Sequence, residues 1–549
     1  MNNTRLGMRH FIRCLVFVGL GIVLLLYVQR VLCHKWFYPV DGNNHKYTFD
    51  EFYDVTGDSD IQALFFGSSH VFAGVDPMAI YRDSGITAYD LATSTQPIEA
   101  SCAILEDALK RAHPRVVFLD ASRMFRLGRG RKYYRRILDN MAFSPGKVRL
   151  ALAYANRLGG EQKLDCFISG FFPILDYHSR WSGLTETDFT FDARRNLFEK
   201  GCSFPLITAT PAGLDVQAMN AADGQAGEGQ DAGEADEADE GDETPGAADY
   251  VVEPENLALV LEMKRMCEAA GAQLRLFKVP SLYDPRHYSG AWTRSKSDAI
   301  RAVSEAYDIP FLDLLYDVDL ALDWRTDTMD GGKHLNGRGA RKVSKYMADY
   351  LRDACGLAGE ANPHYEADLP VYEDVERAAE LVCARDMATY LAALSQMEDV
   401  CVFFCADSDM RAHLKPEDMA ALNAFGLGTD FDGMANGDAF LAVVDGGRAV
   451  YEAAAAGSLE KEDETADGLS YRLTSGVKSD IRLGGRAYGM GQRGLNIVVY
   501  HKRAGTVLDS VCFDTAAKGN QAATRKSAYV YLHRYIDWRA GEDYRQGIR

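Results

Sequence analysis

The sequence lacks the closely paired cysteines that mark structural zinc sites and redox motifs. Its 11 cysteines are spread singly over 549 residues, with no Cys-x-x-Cys pair and no histidine at metal-ligand spacing from them. A zinc site is therefore not expected, and no other metal or cofactor is predicted. Two disulfide pairings, Cys401 with Cys405 and Cys166 with Cys202, stay open because sequence alone does not choose between partners.

Positive charge is also scarce. The formal net charge is -19, and no Lys or Arg occurs between Lys200 and Lys264. This balance argues against nucleic acid as a partner. Much of the acidic excess lies at 215–255, and the tract at 212–249 is rich in Ala, Gly, Asp and Glu and poor in large apolar residues. We predict a disordered insertion there.

A short apolar run stands out near the start of the chain. Residues 14–29 carry no charge, three arginines precede them, and Arg30 and an aromatic group at 36–38 follow. The run predicts a single membrane-spanning helix within an anchor segment at 1–35. A signal peptide is the alternative, but no small-x-small cleavage site follows. The preceding arginines predict a cytoplasmic N terminus at the cell membrane, with the main domains outside the cytoplasm.

The rest of the chain is too long for one core and divides into two patterns. At 58–357, short apolar runs alternate with amphipathic helices, which is typical of βαβ units on a parallel sheet. A helical connector follows at 358–398. Hairpin-like runs at 399–549 then predict a second, β-rich domain, with one hairpin turn at Asp445-Gly446-Gly447 and another in the loop containing Gly505.

Hydroxyl, imidazole and carboxylate side chains lie at the ends of predicted elements in the α/β region. Ser69 follows the first predicted strand, and His334 lies in the loop before the last helix, four residues after Asp330. These are the nucleophile, base and orienting acid of a hydrolytic triad, and the backbone N–H of Ser69 would be one oxyanion donor. Each motif alone also occurs by chance in loops and helix caps. Their placement and order within one α/β region favour the triad.

The order of the two motifs resembles the SGNH (GDSL-like) hydrolase superfamily. Gly67-Ser68-Ser69-His70 is similar to its nucleophile block, and His334-Leu335-Asn336 with Gly339-Ala340 is similar to its Asp-x-x-His block. The likeness is to the membrane-anchored branch related to alginate O-acetylation and teichoic-acid D-alanylation proteins. It implies a three-layer α/β/α domain with a parallel sheet, Ser69 as nucleophile, His334 as base and Asp330 as acid.

The chain departs from that family pattern at three places. The family's acid is usually three residues before the histidine, where this chain has Gly331, so Asp327 is an alternative to Asp330. The stretch at 90–97, which corresponds to the second block, has no glycine, and the stretch at 120–123 lacks the third block's asparagine. Two oxyanion donors are therefore unassigned, and a degenerate, non-catalytic member is an alternative.

A second resemblance lies in the β-rich region. Arg493-Gly494-Leu-Asn496, Phe513-Asp514-Thr515, Ser475-Gly476 and the Asp445-Gly446-Gly447 hairpin are similar to features of the ILEI/PANDER-like domain. That domain is a β-sandwich of secreted cytokine-like proteins and of a glycosyltransferase stem. The likeness implies glycan binding, while the alternative is that these residues only define the fold.

Together the motifs predict a membrane-anchored SGNH-type O-acyltransferase or esterase that works through an acyl-serine intermediate. Its partners would be an acyl donor, a cell-surface polysaccharide or other envelope polymer and, if it delivers the donor, a membrane-bound acyltransferase. The alternative is a catalytically inactive SGNH-like glycan-binding or assembly protein of the cell envelope. A soluble secreted hydrolase would require cleavage after the apolar helix.

Overall fold

The computed structural model describes residues 2–35, 45–57, 59–128, 130–184, 188–189, 200–202, 250–281, 290–324, 327–328, 332–407, 409–502, 505–519 and 521–525. The acidic tract at 212–249, for which disorder is predicted, and Asp330 lie outside the described residues.

Helices dominate the described chain as far as residue 424. They are α1 (Asn2–Leu32), α2 (His45–Val55), α3 (Ser69–Gly74), α4 (Pro77–Ser84), α5 (Ile98–Ala108), α6 (Arg131–Leu138), α7 (Pro145–Leu158), α8 (Lys163–Ser169), α9 (Ile174–Tyr177), α10 (Pro254–Ala269), α11 (Gly290–Tyr307), α12 (Gly337–Asp353), α13 (Pro363–Cys383), α14 (Met387–Leu394) and α15 (Pro416–Ala424). Short 3₁₀ segments include Ala121–Arg123 and His178–Gly183.

Strands form one parallel and two antiparallel sheets. They are β1 (Ala63–Gly67), β2 (Ala88–Ala92), β3 (Val116–Asp120), β4 (Gln273–Lys278), β5 (Phe311–Asp313), β6 (Val400–Ala406), β7 (Asp438–Asp445), β8 (Arg448–Ala456), β9 (Leu459–Glu464), β10 (Ser470–Ser475), β11 (Asp480–Leu483), β12 (Arg486–Ala487), β13 (Leu495–His501), β14 (Thr506–Phe513) and β15 (Ala523–Thr524).

The first sheet is parallel throughout, with strand order β2-β1-β3-β4-β5. Its five strands overlap the apolar runs of the sequence, so the predicted parallel sheet is confirmed. The order reverses between β1 and β3, whose connections leave in opposite directions. In open parallel sheets such a reversal leaves a crevice at the carboxyl ends of the strands, where ligands commonly bind.

The parallel sheet is buried on both faces. Phe65 stacks on Phe118 of β3, with ring centroids 4.9 Å apart, and shares a core with Met347 of α12. The next residue, Phe66, points to the opposite face and belongs to the core that contains Leu105 of α5. This burial explains why the strands are continuous apolar runs and not alternating ones.

The C-terminal strands form a six-stranded antiparallel sheet, ordered β15-β14-β13-β6-β7-β8, and a four-stranded sheet, ordered β12-β11-β10-β9. Phe403 of β6 shares a core with Leu473 of the four-stranded sheet. Its neighbour Phe404 points to the other face and contacts the ring of Phe425, with centroids 5.8 Å apart. The predicted hairpin at Asp445-Gly446-Gly447 is confirmed, because Asp445 pairs with Arg448 and both glycines have positive φ. The hairpin of β13 and β14 is also confirmed.

The ten cysteines whose side chains the structure describes form no disulfide. Cys401 and Cys405 lie four residues apart on β6, so their Cα atoms are about 13 Å apart along an extended strand. A disulfide cannot bridge that distance. Cys166 and Cys202, the other pairing left open by the sequence, do not form a disulfide with each other.

Helix α1 contains one segment, Ile12–Leu32, that is long and apolar enough to cross a membrane. Side chains 12–27 of this helix are exposed, whereas Val31 and Leu32 are buried against the rest of the protein. The exposed segment therefore behaves as a helix that has no protein partner along most of its described length.

Helix α13 joins the two regions through buried tyrosines. The hydroxyl of Tyr365 donates to the carbonyl of Ala88 at the start of β2, and the hydroxyl of Tyr372 donates to Asp76 Oδ2 at 2.6 Å. Near the other end, Arg525 forms a bidentate ion pair with Asp509 of β14, and its Nη2 donates to the carbonyl of Leu381. The connector therefore packs against both regions.

Asp76, the N-cap of α4, provides a test of this packing. Its Oδ1 accepts hydrogen bonds from the N–H groups of Met78 and Ala79, while burial raises its pKa to about 6. Because the pKa is higher folded than unfolded, this carboxyl stabilises the fold fully below about pH 4. That contribution, about 3 kcal/mol, is lost as the pH rises through 6. We expect Asp76→Asn to flatten the fall in the free energy of unfolding between pH 4 and 6.

The measurement is denaturant unfolding of the detergent-solubilised chain at several pH values. The control is Asp349→Asn, because the Asp349 carboxylate is exposed on α12 and its loss should leave the slope unchanged. An unaltered slope in Asp76→Asn would contradict the assignment to this carboxyl.

Candidate functional site

Ser69 lies at the carboxyl edge of the parallel sheet, where β1 turns directly into α3. Strand β1 ends at Gly67, and Ser69 is the first residue of the helix. A Cβ at Gly67 would lie 2.4 Å from Val71 Cγ2 and 2.8 Å from Asp120 Cβ, so only glycine fits. The tight turn places Ser69 at the reversal between β1 and β3. As the first residue of a helix, Ser69 has an N–H with no intrahelical acceptor.

His334 is held by the loop before α12. Leu335 is buried in the core below the sheet, and the side chain of Asn336 caps α12 by accepting from the N–H groups of Arg338 and Gly339. A Cβ at Gly339 would lie 2.4 Å from the carbonyl oxygen of Asp327, so this close approach requires glycine. The residues around His334 thus fix the position of its backbone.

The structure brings Ser69 and His334 together. Ser69 Oγ lies 2.7 Å from His334 Nε2, a hydrogen-bond distance between residues 265 positions apart in the chain. An imidazole nitrogen at this distance can accept the hydroxyl proton, which is what activation of a serine nucleophile needs. Two of the three residues that the sequence singled out are therefore in contact.

Asp327 and Asp330 are the two candidates for the acid that orients His334. Asp330 lies outside the described residues. Asp327 is buried, and its Oδ2 accepts hydrogen bonds from Lys342 Nζ at 2.7 Å and from the N–H of Asp323 at 2.8 Å. Asp327 therefore holds the loop on α12 through an ion pair. The orienting acid stays a prediction from the sequence.

The loop after β2 lies beside this pair, since Ala92 at the end of β2 pairs with Gly67. Thr95 in this loop has φ 55°, the left-handed conformation that a β-branched residue rarely adopts. The buried side chain of Gln96 secures the loop, because it accepts from Thr93 Oγ1 and donates to the carbonyl of Leu91. The sequence has no glycine here, but Thr95 takes a backbone conformation that glycine favours. The residue type at position 95 does not indicate this backbone conformation.

Buried charges occupy the ends of the next strands. Asp120, at the end of β3, accepts from the hydroxyl and N–H of Ser122, and burial raises its pKa. Lys278, at the end of β4, lies 3.7 Å from Asp313 Oδ2 and donates to Ser297 Oγ at 3.1 Å. Burial lowers the pKa of Lys278. The edge of the sheet that holds Ser69 is therefore polar across several strands.

His70 is a part of the site to which the sequence motif assigned no role. Its ring stacks on that of His334, with centroids 5.0 Å apart and planes at 29°. Burial shifts the pKa of His70 well below its usual value, and the positive charges nearby lower it further. Those charges belong to the ring of His334 when it is protonated, and to Lys296, Lys333 and Arg123. His70 is thus neutral at pH 7. Its position next to Ser69 is the feature of the sequence that could have indicated its place in the site.

Four of the residues quoted for the C-terminal resemblance, Arg493, Gly494, Phe513 and Asp514, lie close together. Arg493 forms a bidentate ion pair with Asp514, and the N–H of Gly494 donates to Asp407 Oδ1. Gly494 has φ 104°, and a Cβ there would lie 2.1 Å from the carbonyl oxygen of Phe513. These contacts join the ends of β13, β14 and β6. They are the contacts expected of residues that define the fold.

No protein-family model and no curated protein matches the chain. The functional interpretation therefore depends on the site geometry and on the sequence motifs themselves.

The backbone of Thr95 leads to a stability prediction. A β-branched residue in the left-handed region costs about 1–3 kcal/mol, and glycine removes that strain while adding about 1 kcal/mol of unfolded-chain entropy. We expect Thr95→Gly to raise the free energy of unfolding by about 1 kcal/mol, as measured by denaturant titration. The control is Thr93→Gly, which removes the hydrogen bond to Gln96 and should destabilise the protein. Equal destabilisation by both changes would contradict the claim that the backbone of Thr95 is strained.

Proposed function

We propose that the protein is a serine O-acyltransferase or esterase of the SGNH type. The observation that carries the proposal is the 2.7 Å contact between Ser69 Oγ and His334 Nε2 at the carboxyl edge of a parallel sheet. Strand order, the tight turn at Gly67 and the position of His334 before the last helix of the α/β region are all consistent with that family. Its three-layer α/β/α domain would comprise 58–357.

The mechanism follows from the atoms in contact. Ser69 Oγ attacks the carbonyl carbon of an acyl ester while His334 Nε2 takes the hydroxyl proton. The tetrahedral intermediate collapses, the leaving alcohol receives that proton from His334, and acyl-Ser69 remains. In the second step, an acceptor hydroxyl gives its proton to His334 and attacks the acyl carbon, and His334 returns the proton to Ser69 Oγ as the bond between Oγ and the acyl carbon breaks.

Two backbone elements are suited to stabilise the oxyanion. The N–H of Ser69 points out of the first turn of α3, where helical N–H groups have no internal partner. The loop at 93–97 is the second element, because Thr95 holds it in a strained conformation next to the end of β1. Because both donors would be backbone N–H groups, neither requires a glycine residue or the side chain of an asparagine. The absence of the family's second- and third-block residues is thus compatible with catalysis.

The acceptor proposed is a hydroxyl of a cell-surface polysaccharide or another envelope polymer. An apolar helix of spanning length at the N terminus would anchor the enzyme in the cell membrane as a single-pass protein, with the N terminus cytoplasmic. The C-terminal sheets would form an ILEI/PANDER-like sandwich that binds glycan. A membrane-bound acyltransferase would be a partner if it delivers the acyl donor.

Labelling with a fluorophosphonate tests the nucleophile. We expect one adduct on Ser69 by intact mass spectrometry and peptide mapping of the solubilised chain. Ser69→Ala should abolish it, and His334→Ala should slow it by about 10³-fold or more, because the hydroxyl loses its base. Ser68→Ala is the matched control, since it removes the neighbouring hydroxyl. No adduct in folded protein would favour the non-catalytic, glycan-binding alternative.

Paired substitutions distinguish the two acid candidates. Asp330→Asn should slow acylation of Ser69 by about 10³–10⁴-fold with little change in stability, because the imidazole loses its orienting carboxylate. Asp327→Asn should lower the free energy of unfolding by about 1–2 kcal/mol, because it breaks the hydrogen-bonded ion pair with Lys342. Its labelling rate, corrected for folded fraction, should change less than about tenfold. The reverse pattern would identify Asp327 as the acid.

A further inference from the structure

Large apolar side chains are exposed around the carboxyl end of α1. Phe143 is 80% exposed, Trp181 72% and Leu164 68%, and Phe172 and Leu175 are each about half exposed. Single exposed apolar residues are common, but a large apolar patch marks a surface that contacts a membrane, a ligand or another protein. We call these five residues the juxtamembrane face.

Ring contacts and helical spacing connect the members of this face. The ring of Phe143 lies 6.0 Å from that of Phe171, which in turn lies 5.2 Å from Phe167. Leu164, Phe167 and Phe171 recur at helical spacing, so α8 and the residues after it present one apolar side. Phe172 and Leu175 follow in the next turn of chain. Phe167 and Phe171, which also pack against the core, therefore connect the exposed Phe143 to α8.

The juxtamembrane face is continuous with the end of α1. Arg180 Nη1 donates to the carbonyls of Leu32 at 2.6 Å and Cys33 at 3.0 Å. Lys35 Nζ donates to the carbonyls of Val31 and Cys33. These cations satisfy the free carbonyls at the carboxyl end of the helix and complement its dipole. Trp181 is the residue after Arg180, so the face is fixed at the point where the apolar helix enters the folded protein.

The length of α1 favours burial of this face in lipid. The uncharged run at 14–29 contains 16 residues. This run rises about 24 Å, whereas the hydrocarbon layer of a bilayer is about 30 Å thick, so the spanning segment Ile12–Leu32 fills the layer only with Arg13 and Arg30 near its two edges. A short span is accommodated by thinning the bilayer or by drawing flanking residues into the interface. Apolar side chains around the carboxyl end of the helix would contact the part of the hydrocarbon layer that the uncharged run does not cross.

We propose that the juxtamembrane face lies in the outer interfacial layer of the bilayer that α1 spans, in contact with lipid acyl chains. The inference depends on the proposal that α1 is a membrane anchor and adds a second, peripheral attachment to it. Trp181 suits the site, since indole rings are enriched at this depth. The attachment fixes the orientation of the parallel sheet relative to the membrane.

Fluorescence quenching by brominated phosphatidylcholine tests the contact. The full chain is reconstituted in vesicles with Trp181 as its only tryptophan, after Trp36, Trp292, Trp324 and Trp538 are replaced by Phe. Brominated lipid should quench Trp181 emission. The matched control keeps Trp324 alone, because Trp324 packs against the core of the α/β region and its emission should be unaffected.

A second comparison avoids multiple substitutions. The wild-type chain should lose more emission in brominated lipid than Trp181→Phe does. Equal losses of emission in the two chains would overturn the proposal. Protection of Trp181 from aqueous iodide without quenching by brominated lipid would also overturn it, and would indicate that a protein partner or a second copy covers this face. Resistance of the same samples to alkaline extraction tests α1 separately. None of these readouts uses Ser69, so their failure would leave the proposed chemistry untouched.

Discussion

The close approach of β1 to β3 at Gly67 is the constraint on which the site depends. With a larger residue, the end of β1 would have to separate from Asp120 and from the first turn of α3. Because no side chain intervenes, the chain can turn within two residues and present Ser69 at the point where the strand order reverses. The loop after β2 reaches the same point through the pairing of Gly67 with Ala92. His334 is brought there from the far end of the region by the packing of Leu335.

Two histidines in contact raise the question of which one receives a proton. The contact of Ser69 Oγ with His334 Nε2 identifies His334 as the acceptor, and burial and neighbouring positive charge lower the pKa of His70, so that its ring stays neutral beside it. The ring of His70 instead supports that of His334 by stacking. The arrangement places a cluster of basic side chains near the pair in a chain whose formal net charge is -19.

The sequence predicted most elements of the parallel sheet, because buried strands are apolar runs bounded by glycine and proline. It also predicted that Ser69 and His334 would meet, since both lie at element ends within one α/β pattern. Thr95 could not have been anticipated, because its side chain disfavours the backbone conformation that the fold imposes on it. The roles of Asp327 and Lys342 depend on how the loop folds back on α12, which local patterns do not encode. The juxtamembrane face arises from helices brought together only in three dimensions.

The tyrosines and the arginine that hold α13 have a consequence for how such a chain can evolve. One continuous core contains both Phe52 near the start and Phe513 near the end. Tyr365 and Tyr372 bury their rings against the α/β region, whereas Arg525 ties the last described residues back to the same helix. The α/β region and the C-terminal β-rich region are therefore not independent units. Shuffling either one into another gene would expose a mismatched face, so the parts are expected to be inherited together.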